Sequence, residues 1–216
     1  MLKFTVSSHI NSYKKTFDKL IKSLLASGVP AENIYFFIGG YDEYKKIEND
    51  KGINVYQVPH NSIDFTGLIS IIELNLKSDY WFLLHDTCYV GDHFYNQIIK
   101  HNHITDTIRL TSDGYNMNMG AYKQEYLDGI RDRVLAFKNT DYSEAAVMKF
   151  KVNAIHWEDK LLVPNSPAYN NAKRIVSDGT NVYSTGVNRI KEYYPDIDIY
   201  KIKANWDLKP IYELNV

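Results

Sequence analysis

With 216 residues, 44% of them hydrophobic and 24% charged, the chain has the makeup of a globular protein large enough for a substantial core. Its 25 Lys and Arg against 26 Asp and Glu leave it near neutral, which disfavours a generic nucleic-acid or acidic-membrane surface. The one cysteine, Cys88, excludes an internal disulfide and fits a reducing, cytoplasmic setting, while no signal peptide or run of about 18 apolar residues stands out.

Lys3 to Val6 reads as a strand, followed by a polar turn, Ser7-Ser8-His9-Ile10-Asn11-Ser12. From Tyr13 the apolar residues Phe17, Leu20, Ile21, Leu24 and Leu25 recur on one helical face, and Gly28 stops the pattern. Ile34 to Ile38 and Ile53 to Val58 read as the next strands, so the chain opens with a βαβ unit and predicts a mainly parallel sheet flanked by helices. After Pro59, Asn61 and Asp64 precede a helix carrying Leu68, Ile69, Ile72 and Leu76.

Tyr80 to Leu84 is a continuous apolar run, the pattern of a strand buried on both faces, and it ends abruptly in His85-Asp86-Thr87. Open α/β sheets bind ligands beyond the carboxyl ends of such strands. Asp86 therefore either holds a ligand or caps the following turn, and the residues leave both open.

Farther on come a short helix (Phe94 to Lys100), a strand (Ile108 to Thr111), Asn118-Met119-Gly120-Ala121-Tyr122 leading into a helix from Lys123 to Phe137, and another helix over Ser143 to Lys151. Trp157-Glu158-Asp159 follows. Residues 164 to 181 are polar and without periodicity, in the manner of an active-site lid, and strands end the chain. No repeat or linker divides it, which predicts one compact domain.

Asp86 at its strand end, Asn118 to Tyr122 entering a helix, and Glu158-Asp159 after Trp157 occur in the order that resembles the nucleotide-diphospho-sugar glycosyltransferases of GT-A fold. Over residues 3 to 162, the resemblance implies an α/β, GT-A-like domain that transfers a sugar, UDP-linked, to a hydroxyl of a glycan or glycoprotein. It implies a nucleotide-binding half (about residues 1 to 90) with donor contacts at Ser7, Ser8, His9, Asn61, Asp64, His85 and Asp86, and an acceptor-side half (about 91 to 216) with Asn118, Gly120 and Trp157 on the acceptor side. Asp159 would be the catalytic carboxylate, with Glu158 second. The Tyr194-Pro195-Asp196-Ile197-Asp198-Ile199-Tyr200 ending resembles, more loosely, the small glycosyltransferases of large algal DNA viruses.

The chain departs from the pattern at the metal motif. A divalent cation bridging two phosphates prefers paired oxygen ligands, and His85-Asp86-Thr87-Cys88 offers one carboxylate. Asp86, with His85 as a nitrogen ligand that Mn²⁺ tolerates better than Mg²⁺, is one solution. All seven histidines lie at or before His156, so none follows the Glu158-Asp159 pair, and Lys173, Arg174 or Arg189 could replace the metal's charge. Two alternatives stay open: a non-catalytic nucleotide-sugar or sugar-binding module, and a metal-dependent phosphohydrolase built on His60, His85 and Asp86.

Overall fold

The computed structural model describes residues 1–102, 107–109, 119–150, 153, 173–174, 180–185 and 188–202, with side-chain surroundings for 1–100, 119–150, 153 and 191–202. The opening βαβ unit is present: β1 (Leu2–His9), α1 (Tyr13–Ala26) and β2 (Ile34–Gly39). β3 (Lys45–Ile47), β4 (Asn54–Val58), α2 (Thr66–Glu73) and β5 (Tyr80–His85) complete the first half. β1, β2, β4 and β5 are mutually parallel, in the order β4-β2-β1-β5, so β1 lies between the two longest apolar runs, those of β2 and β5.

Strand alternation divides the core. Phe4 and Val6 of β1, with Phe82 and Leu84 of β5, face Leu20, Ile21 and Leu24 of α1. Trp81 and Leu83 of β5 face the other way, against Leu68, Ile69 and Ile72 of α2. The same alternation carries past the apolar residues. Ser8 continues the α1 face and Ser7 the α2 face, which decides where each hydroxyl points.

α1 ends in a Schellman motif: the Val29 amide donates to Leu24 O and the Gly28 amide to Leu25 O, both at 3.1 Å. That geometry needs the left-handed backbone of Gly28, φ +93°. At the other face, α2 starts almost on top of β1. A methyl at Gly67 would sit 2.5 Å from Thr5 Oγ1, so only glycine lets the helix approach this closely.

Several elements differ from the sequence expectation. Gly120 to Lys123 is not a loop entering a helix but β8, antiparallel to β5, and it is buried through Tyr122. The expected helix from Lys123 to Phe137 is two helices, α4 (Gln124–Gly129) and α5 (Arg131–Leu135), broken at Ile130. β7 (Thr107–Arg109) pairs with β8, and β9 (Lys173–Arg174) extends the same sheet. A further helix, α6, covers residues 144–150.

A second, antiparallel sheet was not anticipated. It joins β10 (Thr180–Thr185), β11 (Asn188–Tyr194), β12 (Ile199–Ile202) and the short β6 (Cys88–Val90), in that order. α3 (Phe94–Asn102) follows β6 and buries Phe94 and Ile98 in the α1-side core. A column of rings marks the seam: Tyr89 stacks on Tyr200 (4.6 Å), Tyr200 on Tyr193 (4.4 Å), and Lys19 of α1 reaches over Tyr89 (4.1 Å). Asp198 ties the seam to α3, accepting from the His93 amide (3.0 Å) and the Tyr193 hydroxyl (2.9 Å). Cys88 is buried as a small apolar filler, and burial pushes its thiol up to about 12. Among the described residues, no helix is long and apolar enough to cross a membrane.

Candidate active site

The parallel strands end around a cavity of about 560 Å³. Its lining includes Ser7, Ser8 and His9 from the end of β1, Asn61 and Asp64 from the segment before α2, and Asp86 just after β5. Asn11 and Ser12 contribute from the turn into α1; Tyr142, Glu144, Val147 and Met148 form a wall on and beside α6.

Asp86 gathers the most side-chain hydrogen bonds among the described residues of this lining. Its Oδ2 accepts from Ser8 Oγ (2.5 Å), Thr16 Oγ1 (3.1 Å) and Ser12 Oγ (3.2 Å). Ser12 occupies the N-cap of α1 yet makes no side-chain capping bond; its hydroxyl is turned to the carboxylate instead. Burial raises the Asp86 pKa and the charge of Asp64 adds to the rise, while the three hydroxyls oppose it. A buried carboxylate beside a second acid is a place where a cation would be stabilised.

Asp64 is positioned from the opposite face. Ser7 Oγ donates to Asp64 O (2.9 Å) and accepts from the Gly67 amide (2.8 Å), pinning the turn between them. That turn is strained: Ile63, which is β-branched, has φ +47°. His85 points to the same face as Ser7, and its Nε2 lies 3.4 Å from Asp64 Oδ1. His9 lines the cavity with Nδ1 accepting from the Asn11 amide (3.2 Å), and burial lowers its pKa.

The α6 wall is anchored through a buried histidine. Ser70 Oγ gives its proton to Thr66 O (2.7 Å), so it accepts from His60 Nε2–H (3.1 Å). His60 Nδ1 then accepts from Ser62 Oγ (3.0 Å), which accepts in turn from the Asn139 amide (3.0 Å). Asn61 and Asn139 clasp each other: the Asn61 amide donates to Asn139 O (2.9 Å) and Asn139 Nδ2 to Asn61 O (3.0 Å). Tyr142 closes the same corner by donating to Tyr41 O (2.9 Å).

Six of the expected donor residues, Ser7, Ser8, His9, Asn61, Asp64 and Asp86, thus line one cavity, and His85 lies against Asp64 at its edge. Gly120 is buried within β8 opposite Leu83 and is not part of the lining. Asn118, Trp157, Glu158 and Asp159 lie outside the described residues, as do the side chains of Lys173, Arg174 and Arg189. Thr16, Tyr142, Glu144, Val147 and Met148 were not foreseen, because helix spacing alone does not tell a core threonine from one that serves a carboxylate. His60 is fully buried in its serine network, and His60, His85 and Asp86 do not form a metal-holding cluster.

The lining carries the carboxylates of Asp64, Asp86 and Glu144, and no Lys or Arg among the described residues. Among those residues, too, no group of three or more His, Cys, Asp or Glu is placed to hold a metal unaided. The donor set fits a divalent cation that draws its remaining ligands from a phosphorylated substrate and water: Asp64 and Asp86 offer hard oxygens of the kind Mg²⁺ and Mn²⁺ take in nucleotide sites.

No protein-family model matches the chain, and no curated protein does. Solved structures similar to it include S. aureus TarS, at 12% identity and TM-score 0.37, covering 61% of this chain and 29% of that one. TarS 1-349 is similar at 13% identity and TM-score 0.39, over 71% of this chain and 55% of that one. TarS 1-349 in complex with UDP gives 13% identity and TM-score 0.38, over 72% and 55%. The chain thus spans between 29% and 55% of the length of these proteins.

Proposed function

We propose that the chain is a glycosyltransferase whose donor, a nucleoside-diphosphate sugar, binds in the cavity at the carboxyl ends of β1, β4 and β5. The observation that carries the reading is Asp86: a carboxylate delivered by the central apolar strand, gripped by three hydroxyls and facing a cavity it shares with Asp64. A lining with acids and no described Lys or Arg repels a bare diphosphate, so binding one calls for a divalent cation, Mn²⁺ or Mg²⁺.

In this reading Asp86 and Asp64 hold the cation, which when bound neutralises the charge of the departing diphosphate. Ser8 holds the Asp86 carboxylate, and Ser7 holds the backbone that carries Asp64. Asn11, Asn61 and His9 offer hydrogen bonds to ribose or sugar hydroxyls. Asp159 takes the proton of the acceptor hydroxyl, with Glu158 as the second choice; both assignments rest on the order of motifs in the sequence. The UDP preference and a glycan or glycoprotein acceptor rest on the same resemblance, and a likeness to the algal-virus enzymes rests on the 194–200 ending alone. A cytoplasmic setting is supported by the lone cysteine.

The test is release of UDP from a panel of UDP-sugars, with and without Mn²⁺ and simple glycoside acceptors. Mn²⁺-stimulated release that is lost in Asp86→Ala is the expected result. Donor binding without release in any combination would make the chain a binding module instead, and no donor binding would overturn the reading.

A further inference from the structure

We infer that Thr16, together with Ser12, is a positioning residue that makes Asp86 a one-oxygen ligand, and that the site thereby favours a small octahedral cation over Ca²⁺. The inference rests on the donor-site reading above and adds which oxygen binds, what aims it, and which cations are excluded.

Three side-chain hydrogen bonds converge on Asp86. Ser8 comes from β1, Ser12 from the start of α1 and Thr16 from one turn later, and all three donate to the same oxygen, Oδ2. An ionised carboxylate oxygen has about two lone-pair sites, so three donors saturate Oδ2. Among the described residues nothing donates to Oδ1, and Asp86 lines the cavity. Oδ1 is the oxygen left for a ligand.

Thr16 is the least expected member. It is 5% exposed on the packed side of α1, where an apolar residue would extend the face of Leu20 and Leu24. A buried helical threonine usually returns its hydroxyl to a carbonyl of the preceding turn. Here that contact, to Tyr13 O, is the longer one at 3.4 Å, and the bond to Asp86 is 3.1 Å. Ser12 likewise makes no capping bond, and its hydroxyl lies 3.2 Å from Asp86 Oδ2, against 3.3 Å from the local acceptor His9 O. Two residues of one helix therefore depart from their local roles, and both departures lead to the same oxygen.

The chemical consequence is denticity. With Oδ2 engaged, Asp86 cannot swing to present both oxygens. Bidentate carboxylates at 2.3–2.6 Å suit the larger, irregular Ca²⁺ shell, whereas Mg²⁺ wants single oxygens in a near-ideal octahedron. Mn²⁺, like Mg²⁺, takes octahedral oxygen sites and serves as its spectroscopic stand-in.

Mn²⁺ binding in the presence of UDP, followed by the loss of the free-ion electron paramagnetic resonance signal, tests this without turnover. Thr16→Val removes the hydroxyl at nearly constant shape and is expected to weaken Mn²⁺ binding by about 10-fold, the lower end of what losing a ligand's orienting partner costs. Thr16→Ser restores the hydroxyl and with it the parent affinity. Ca²⁺ competes poorly with Mn²⁺ in the parent and better in Thr16→Val. Ser12→Ala, at a half-buried position that tolerates truncation, weakens Mn²⁺ in the same direction and serves if Thr16→Val does not fold. Parent-like Mn²⁺ affinity in folded Thr16→Val and Ser12→Ala, with Ca²⁺ competition unchanged, would overturn the inference and leave the donor site standing. Absence of any UDP-dependent Mn²⁺ binding in the parent would overturn both.

Discussion

His85 Nε2 lies 3.4 Å from Asp64 Oδ1, so the end of the central strand and the strained turn before α2 meet at the edge of the cavity. The contact sets Asp64 beside the residue that precedes Asp86, and the charge of Asp64 acts on Asp86, although more than twenty residues of sequence separate the two acids. Asp64→Asn keeps the shape and removes the charge. It is expected to weaken metal-dependent donor binding by about 10-fold or more, on the scale of losing a partner of the metal. Calorimetry with a UDP-sugar and Mn²⁺ checks this; unchanged affinity would remove Asp64 from the site.

His60 makes stability depend on pH. Burial lowers its pKa from 6.5 to about 4, with the charge of Glu73 pulling back and that of Lys138 adding to the fall. The folded state keeps the ring neutral where the unfolded chain takes up a proton. Stability is therefore full above about pH 6.5 and falls by about 1.4 kcal/mol for each unit toward pH 4. His9, also lowered by burial, acts in the same direction. Urea midpoints at pH 7.5 and pH 5 should differ less in His60→Gln than in the parent, and equal differences would contradict the assignment.

Gly67→Ala drives a methyl against Thr5 Oγ1, 2.5 Å away, with Ser7 Oγ next at 3.1 Å. Overpacking of this kind costs about 1–3 kcal/mol. Thr5→Ala removes the obstructing hydroxyl, so adding it to Gly67→Ala is expected to recover much of the lost melting temperature. Additive losses in the double variant would show that the clash lies elsewhere.

The tyrosine column should hold the small sheet to α1. Tyr200→Leu keeps an apolar side chain but removes both stacking partners, Tyr89 and Tyr193. At about 0.5–1.5 kcal/mol per aromatic pair, the expected loss is about 1–3 kcal/mol in urea unfolding. No loss would make the stack incidental.

Much of the first half was legible because its signals are local. The 3.6-residue spacing from Phe17 to Leu25 and the unbroken Tyr80 to Leu84 run each announce their element. β3 and β6 went unseen since three residues carry no periodicity, and the partner of β6, β12, lies far along the chain. Gly120-Ala121-Tyr122 became a strand because β5 offers it a ladder, a tertiary choice that overrides local propensity. At the site, Asp86 was readable from its strand end. Thr16 was not, because its polar role depends on a carboxylate 70 positions away.

Calorimetric titration of UDP-sugars into the parent and Asp86→Ala proteins, each with and without Mn²⁺, bears most directly on the proposed donor site. Mn²⁺-dependent binding in the parent and its loss in a folded Asp86→Ala variant are the expected results. Donor binding of equal strength in both proteins would contradict it.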